Sequence, residues 1–168
     1  MITLVLGGAR SGKSEVAERL ASSAGGGDVV YVATALVEPA DDDMVARVDA
    51  HRARRPPSWR TVECGAALVD AIRDAPDGTM LVDSLGTWLA AAAPTFDVDV
   101  GALCDALAAR RGDTVIVSDE VGLGVHPSSE GGRRFRDALG TCNRSIADIS
   151  GRVLLVVAGR VFPLEKVE

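Results

Sequence analysis

The stretch GGARSGKS, Gly7 to Ser14, directly follows an apolar run, Ile2–Leu6, near the start of the 168-residue chain. It matches the pattern GxxxxGK[ST], in which glycines let backbone amides turn inward around an anion. The helix that follows such a loop directs its positive end at the same anion. The stretch therefore predicts a phosphate-binding loop, here called the phosphate loop, at Gly7, Gly8, Ala9, Arg10, Ser11, Gly12, Lys13 and Ser14.

Two side chains of the phosphate loop have predicted roles toward a nucleoside triphosphate. Lys13 would reach the β- and γ-phosphates, and the hydroxyl of Ser14 would ligate Mg²⁺. The sequence therefore predicts a nucleotide-binding protein that uses magnesium.

Apolar runs of strand length recur along the chain and alternate with segments of helical periodicity. The runs are rich in Val, Ile and Leu without clean alternation, which is typical of strands buried on both faces of a parallel sheet. They are Ile2–Leu6, Val29–Ala33, Thr79–Val82, Thr114–Val117 and Arg152–Val157. The pattern predicts one α/β domain over residues 1–168, a P-loop nucleoside triphosphate hydrolase-like fold whose mostly parallel sheet has helices on both faces.

Composition excludes several classes of protein. The net charge of −6 argues against a protein that coats nucleic acid. No apolar run approaches the length of a membrane span, and no signal peptide is visible. Cys64, Cys104 and Cys142 occur singly, without zinc-ligand spacing, and are predicted to be buried free thiols in a reducing compartment. We expect a cytoplasmic protein.

Acidic residues follow two of the predicted strands. Asp83 ends one, and Asp119 and Glu120 end another. Ligands of open α/β sheets bind at such carboxyl ends. The pattern alone does not choose between them. Our interpretation favours Asp83 for contact with the metal or the ribose, and the alternative is a carboxylate that merely caps its strand.

His51 lies in an unusually basic segment. Asp41-Asp42-Asp43 predicts a helix start, and the spacing from Met44 and Val48 places His51 on the inward face of that helix. Arginines crowd around it at positions 47, 52, 54, 55 and 60. Such a cluster suits triphosphate recognition, and a neutral imidazole among cations is a candidate nucleophile toward phosphorus. A structural histidine in a solvated basic face is the alternative. His126, in a Gly-rich loop, is interpreted as a loop residue.

Several motifs occur together in the order found in one family. They are GGARSGKS, Tyr31-Val32-Ala33-Thr34-Ala35, His51 to Glu63, Glu120-Val121-Gly122-Leu123-Gly124, Arg134-Phe135-Arg136-Asp137 with Asn143, and Leu155-Val156-Val157-Ala158-Gly159. Over Ile2 to Gly159 the chain resembles the bifunctional adenosylcobinamide kinase/adenosylcobinamide-phosphate guanylyltransferase family of cobalamin biosynthesis.

The resemblance implies two reactions. The γ-phosphate of ATP or GTP passes to adenosylcobinamide, and a histidine then takes GMP from GTP and hands it to adenosylcobinamide phosphate. The family's guanylylated histidine falls on His51. Lys13, assigned above from the phosphate-loop motif, is the second predicted catalytic residue. Its guanine-nucleotide contacts fall on the phosphate loop and on Ala33, Thr34, Ala35, Arg52, Ala53, Arg54, Arg55, Glu63 and Asp83. The resemblance also favours Asp83 over Asp119, so that Ser14 and Asp83 are the predicted Mg²⁺ ligands. It further implies a corrinoid substrate and a homotrimer.

The chain departs from the family pattern at three positions. It has Asp119 where relatives often carry Asn, Gly86 where a bulkier residue is usual, and His126 where an apolar residue is common. Two other functions stay open on sequence grounds. One is a P-loop small-molecule kinase that forms no guanylyl intermediate, and the other is a nucleotide-dependent switch without catalysis.

Overall fold

The protein is described by a computed structural model that covers residues 1–25, 27–35, 52–53 and 55–166. The helix predicted after Asp41–Asp43 lies outside these residues. Along the chain, the described strands and helices are β1 (Ile2–Gly7), α1 (Lys13–Gly25), β2 (Val29–Ala33), β3 (Arg60–Glu63), α2 (Leu68–Asp74), β4 (Thr79–Asp83), α3 (Leu85–Ala90), α4 (Val100–Ala109), β5 (Thr114–Asp119), α5 (Glu130–Ile149), β6 (Arg152–Val157) and β7 (Arg160–Leu164).

The strands form one sheet in the order β3-β2-β4-β5-β1-β6-β7. All neighbouring pairs are parallel except β6 and β7, which form an antiparallel hairpin. Central strands β1, β4 and β5 are almost entirely buried, as their continuous apolar runs predict. The order places the phosphate loop at the carboxyl edge of the sheet, beside the ends of β5 and β6.

Helices cover both faces of the sheet. On one face, Leu4 and Leu6 of β1 pack in a core with α2, α3, α4 and α5. On the other face, Val5 packs with Ala17 and Ala21 of α1. The small side chains of these alanines let α1 lie close to the sheet. The predicted α/β fold with helices on both faces is confirmed.

The two edge strands were not predicted from the sequence. Strand β3 has four residues, of which three are exposed, so its apolar signal is weak. Strand β7 is exposed throughout and contains Pro163, a residue that argues against an ordinary central strand. Both are edge strands, where burial does not impose the pattern that identifies the central ones.

The turn of the β6–β7 hairpin meets the phosphate loop. Ala158 and Gly159 have φ of 49° and 72°, which is the left-handed pair that a tight two-residue hairpin turn requires. The backbone N–H of Gly159 donates to the carbonyl of Ser11 at 2.8 Å. The hairpin therefore stabilises the phosphate loop from the side opposite β5.

The three cysteines are free thiols, as predicted, but only Cys142 is buried; Cys64 and Cys104 are half-buried. Burial raises the pKa of the Cys142 thiol to about 12, so this thiol stays protonated and unreactive at neutral pH. Within the described ranges, no helix combines the length and the apolar character needed to cross a bilayer.

Candidate nucleotide-binding site

The phosphate loop depends on backbone conformations that few residues adopt. Arg10 and Gly12 have φ of 57° and 91°, in the left-handed region. At Gly7, a Cβ would overlap the Ser11 hydroxyl and come within 2.8 Å of the carbonyl of Val156. The tight turn of the loop therefore requires glycine at Gly7, for lack of space, and favours it at Gly12, because of its backbone conformation, as the motif predicts.

Lys13, the first residue of α1, folds back over the loop. Its Nζ donates to the carbonyl of Gly8 at 3.2 Å and lies 2.7 Å from Oδ1 of Asp119. The next residue, Ser14, is half-buried in the first turn of the same helix. The ammonium of Lys13 therefore lies against the phosphate loop, between a backbone carbonyl and a carboxylate.

Three of the sequence-predicted residues lie side by side at the carboxyl edge of neighbouring strands. The register pairs Ala33 of β2 with Glu63 of β3 on one side and with Asp83 of β4 on the other. Beyond β2, the N–H of Thr34 donates to the carbonyl of Asp83 at 3.2 Å, and Ala35 is half-buried. The parallel register therefore brings predicted residues from three separate motifs together.

Asp83 is held by a buried tyrosine. The hydroxyl of Tyr31 donates to its Oδ2 at 2.9 Å, and Tyr31 is 3 % exposed. Burial, with the adjacent Asp83 carboxylate as a smaller cause, raises the pKa of the Tyr31 phenol far above its ordinary value of 10. The guanidinium of Arg55 lies 3.6 Å from the centroid of the Tyr31 ring. Asp83 thus has a fixed orientation and a cation nearby.

The described part of the basic segment rests on β3 and β2. Arg52 Nη2 lies 2.6 Å from Glu63 Oε1, and both side chains are more than half exposed, so this ion pair contributes little to stability. Arg55 Nη1 donates to the Thr61 hydroxyl at 3.2 Å. Ala53 is exposed. His51 and Arg54 lie outside the described residues.

The residues predicted to hold Mg²⁺ fit the ion's chemistry. Magnesium keeps several waters and takes one or two protein oxygens together with phosphate oxygens. The Ser14 hydroxyl and the Asp83 carboxylate are oxygen donors of this kind. In the part of the chain that the structure describes, no group of three His, Cys, Asp or Glu side chains forms a closed metal cage, and a nucleotide-bound magnesium needs none.

Two contacts of the site go beyond the sequence prediction. Asp119 was weighed against Asp83 on sequence grounds, and the structure pairs it with Lys13, whereas Asp83 bonds Tyr31. Asn143 of α5 donates to the Asp119 carbonyl at 3.1 Å and accepts from the buried Ser118 hydroxyl at 2.6 Å. The sequence does contain a signal for this second contact. Asn143 is a polar residue on the buried face of a helix, and such a residue needs a hydrogen-bond partner in the core.

The loop after β5 is exposed. Leu123 and Val125 are 82 % and 95 % exposed, and His126 next to them is exposed as well. The loop ends at Ser129, whose hydroxyl accepts from the N–H of Gly132 and caps α5. Leu123 and Val125 are therefore two exposed aliphatic side chains in the loop that follows Asp119 at the carboxyl edge of the sheet.

The Tyr31–Asp83 hydrogen bond predicts how stability depends on pH. Since the folded protein holds the phenolic proton more tightly than the unfolded chain, the free energy of unfolding is unaffected by this group below pH 10 and falls above it. Tyr31→Phe should cost about 1–3 kcal/mol at neutral pH, because a buried charge-assisted bond is lost, and should weaken the alkaline decline. Urea denaturation at several pH values measures both effects.

Tyr31 is the only tyrosine of the chain. Phenolate absorbance in the wild-type protein should therefore appear only as the protein unfolds. A native protein whose phenolate develops near pH 10 would contradict the buried hydrogen bond.

Comparison with solved structures supports the fold alone. A structure described as a prototypical ATPase from the type III secretion system of pathogenic bacteria aligns with a TM-score of 0.51 and 15% sequence identity. The alignment covers 92% of this chain and 50% of that chain, so this chain spans about half its length.

Comparison of sequences is more specific. The profile of the family described as "CobU: Cobinamide kinase / cobinamide phosphate guanyltransferase" matches residues 3–164. The bifunctional adenosylcobalamin biosynthesis protein CobP of Pseudomonas aeruginosa is 41% identical, with 98% of each chain covered. The protein CobU of Salmonella typhimurium, which has the same bifunctional description, is 35% identical over 95% of this chain and 97% of its own. These matches confirm the resemblance inferred from the motifs: the chain belongs to the cobinamide kinase / cobinamide phosphate guanyltransferase family.

Proposed function

We propose that this chain is a bifunctional enzyme of cobalamin biosynthesis. It transfers the γ-phosphate of ATP or GTP to the aminopropanol hydroxyl of adenosylcobinamide, and then GMP from GTP to adenosylcobinamide phosphate. The observation that carries the proposal is the phosphate loop with Lys13 folded over it, because phosphoryl transfer depends on cations at the β- and γ-phosphates. Mg²⁺, held by Ser14 and Asp83, would neutralise phosphate charge there. Membership of the family supports adenosylcobinamide and adenosylcobinamide phosphate as the substrates.

The second reaction proceeds through His51. An imidazole nitrogen attacks the α-phosphorus of GTP, so a P–N bond forms, the bond to the bridging oxygen breaks and pyrophosphate leaves. A phosphate oxygen of adenosylcobinamide phosphate then attacks the same phosphorus and breaks the P–N bond. The products are adenosylcobinamide-GDP and free histidine.

The neighbours of His51 in the sequence support this role. Arg52 contacts Glu63 at the carboxyl end of β3, and Arg55 lies over the ring of Tyr31, whose hydroxyl bonds Asp83. Both guanidinium groups therefore lie at the edge of the sheet where the nucleotide is proposed to bind. Cations there would offset the charge of the triphosphate and favour the neutral, nucleophilic form of the imidazole.

The guanylyl intermediate predicts a covalent label at one histidine. Incubation with α-labelled GTP should label the wild-type protein, and the label should be acid-labile and base-stable, as expected of a phosphoramidate. His51→Ala should lose the label and the guanylyl transfer but still phosphorylate adenosylcobinamide, because the γ-phosphate is transferred without His51.

The sequence offers a matched control, since His51 and His126 are its only histidines. His126→Ala should retain the label. If the wild-type protein took up no label, the alternative of a kinase that forms no guanylyl intermediate would be favoured. If His51→Ala still took up label, the nucleophile would be another residue.

We also propose that the exposed loop after β5 contacts the corrinoid. The acceptor hydroxyl must reach the γ-phosphate above Lys13, and this loop follows Asp119, which lies against Lys13. Leu123 and Val125 offer aliphatic surface there to a large, partly apolar macrocycle.

Removal of that surface should weaken corrinoid binding selectively. Leu123→Ser with Val125→Ser should raise KM for adenosylcobinamide about fivefold, the equivalent of roughly 1 kcal/mol of lost apolar contact. Labelling by α-labelled GTP should not change. Ile149→Ser, at the far end of α5, is the control for an exposed aliphatic residue. An unchanged KM in the double variant would place the corrinoid elsewhere.

We propose, finally, that the chain assembles as a homotrimer. Val161, Phe162 and Leu164 of β7 are 41 %, 52 % and 44 % exposed and form an apolar edge that a second copy would bury. A solution mass three times the chain mass of 17.4 kDa is the corresponding observable.

A further inference from the structure

The ammonium of Lys13 is paired with a carboxylate of the chain itself. Its Nζ lies 2.7 Å from Asp119 Oδ1, and the two side chains are 13 % and 31 % exposed. This is a close contact with limited access to water, so the charges interact more strongly than in a surface ion pair. The lysine assigned to the nucleotide phosphates is therefore already engaged by an anion in this structure.

The backbone of Asp119 is firmly placed. It ends β5, where the register pairs it with Gly7, the first residue of the phosphate loop. Its carbonyl accepts from Asn143, which in turn accepts from the buried Ser118 hydroxyl. Only the side chain of Asp119 is therefore free to reorient when the occupant of the phosphate loop changes.

Gly86 makes room for this carboxylate. A Cβ on Gly86, in the first turn of α3, would overlap Asp119 Oδ2. Gly86 of α3 and Asp119 of β5 are therefore direct neighbours in the structure. The absence of a side chain at one accommodates the charged side chain at the other.

The neighbouring carboxylates have other partners. Glu120 Oε1 accepts from the N–H of Gly122 at 2.6 Å within its own loop. Asp83 accepts from the Tyr31 hydroxyl. Asp119 is thus distinguished from both by its contact with Lys13.

We propose that Asp119 is a positioning residue that competes with nucleotide phosphates for Lys13. The proposal rests on the proposed nucleotide site and concerns how tightly that site holds its ligand. Binding of a triphosphate exchanges one anionic partner of Lys13 for another and leaves the Asp119 carboxylate beside added negative charge. Both effects lower the affinity of the phosphate loop for the triphosphate. Once the γ-phosphate has been transferred, Asp119 regains Lys13, which favours release of the diphosphate.

Asp119→Asn tests the competition directly, because the amide keeps the shape and an oxygen acceptor but removes the charge. We expect calorimetry with GTP and Mg²⁺ to give a Kd about three- to tenfold lower than that of the wild type. KM for the nucleotide should fall with it, while kcat for phosphoryl transfer should not rise, since the diphosphate leaves more slowly. Asp148→Asn, which makes the same change in an exposed lysine-paired carboxylate at the far end of α5, should leave the Kd unchanged.

Gly86→Ala provides an independent route to the same contact, because the added methyl group displaces the Asp119 carboxylate. It should also tighten GTP binding. In the Asp119→Asn background it should bring no further gain, because both changes remove one interaction. If Gly86→Ala did not fold, the comparison of Asp119→Asn with Asp148→Asn would carry the test alone.

An unchanged Kd in Asp119→Asn would overturn the competition. A higher Kd would overturn it as well and would instead assign the carboxylate to the ligands of the nucleotide-bound metal. Wild-type protein that bound no GTP would contradict the proposed nucleotide site itself, so the two failures are distinguishable.

Discussion

The phosphate loop is the constraint on which the rest of the structure depends. Its turn is possible because Gly7 leaves space for Ser11 and for the Val156 carbonyl, and because Gly12 adopts a left-handed conformation. The loop is held from both sides. The N–H of Glu120 donates to the Gly7 carbonyl at 3.1 Å, and the N–H of Gly159 donates to the Ser11 carbonyl. The turn of the β6–β7 hairpin thereby contributes to the geometry of the site.

The parallel sheet brings residues from separate sequence motifs together at one edge. Since parallel strands end on the same side, Asp119 at the end of β5 comes to lie beside Gly7. Asp83, Ala33 and Glu63 continue the row at the ends of β4, β2 and β3, the next three strands of the sheet. The buried cores on both faces fix that register, because a slip by one residue would exchange the side chains that pack on the two faces and disrupt both cores. Charged side chains lie at this carboxyl edge, where the buried apolar core ends. The competition between Asp119 and phosphate for Lys13 is a consequence of placing a carboxylate and a cation at the same edge.

Much of this arrangement follows from the sequence, and the limits have physical causes. The phosphate loop and the central strands could be predicted because a local motif and burial each leave a pattern in neighbouring residues. Strand β3 and strand β7 could not, since exposed edges impose no such pattern. The contact of Asp119 with Lys13 depends on the order of strands β1 and β5 in the sheet, which no local pattern encodes. The roles of His51 and of the metal ligands stay predictions.

The central claim is that one phosphate loop serves two chemistries, attack at the γ-phosphorus and attack at the α-phosphorus. Incubation of the protein with adenosylcobinamide and Mg²⁺, with GTP and with ATP in separate reactions, tests it most directly when the corrinoid products are resolved by mass. GTP should give adenosylcobinamide phosphate followed by adenosylcobinamide-GDP, and the GDP derivative should not form with ATP. A corrinoid whose mass is unchanged with either nucleotide would contradict the claim.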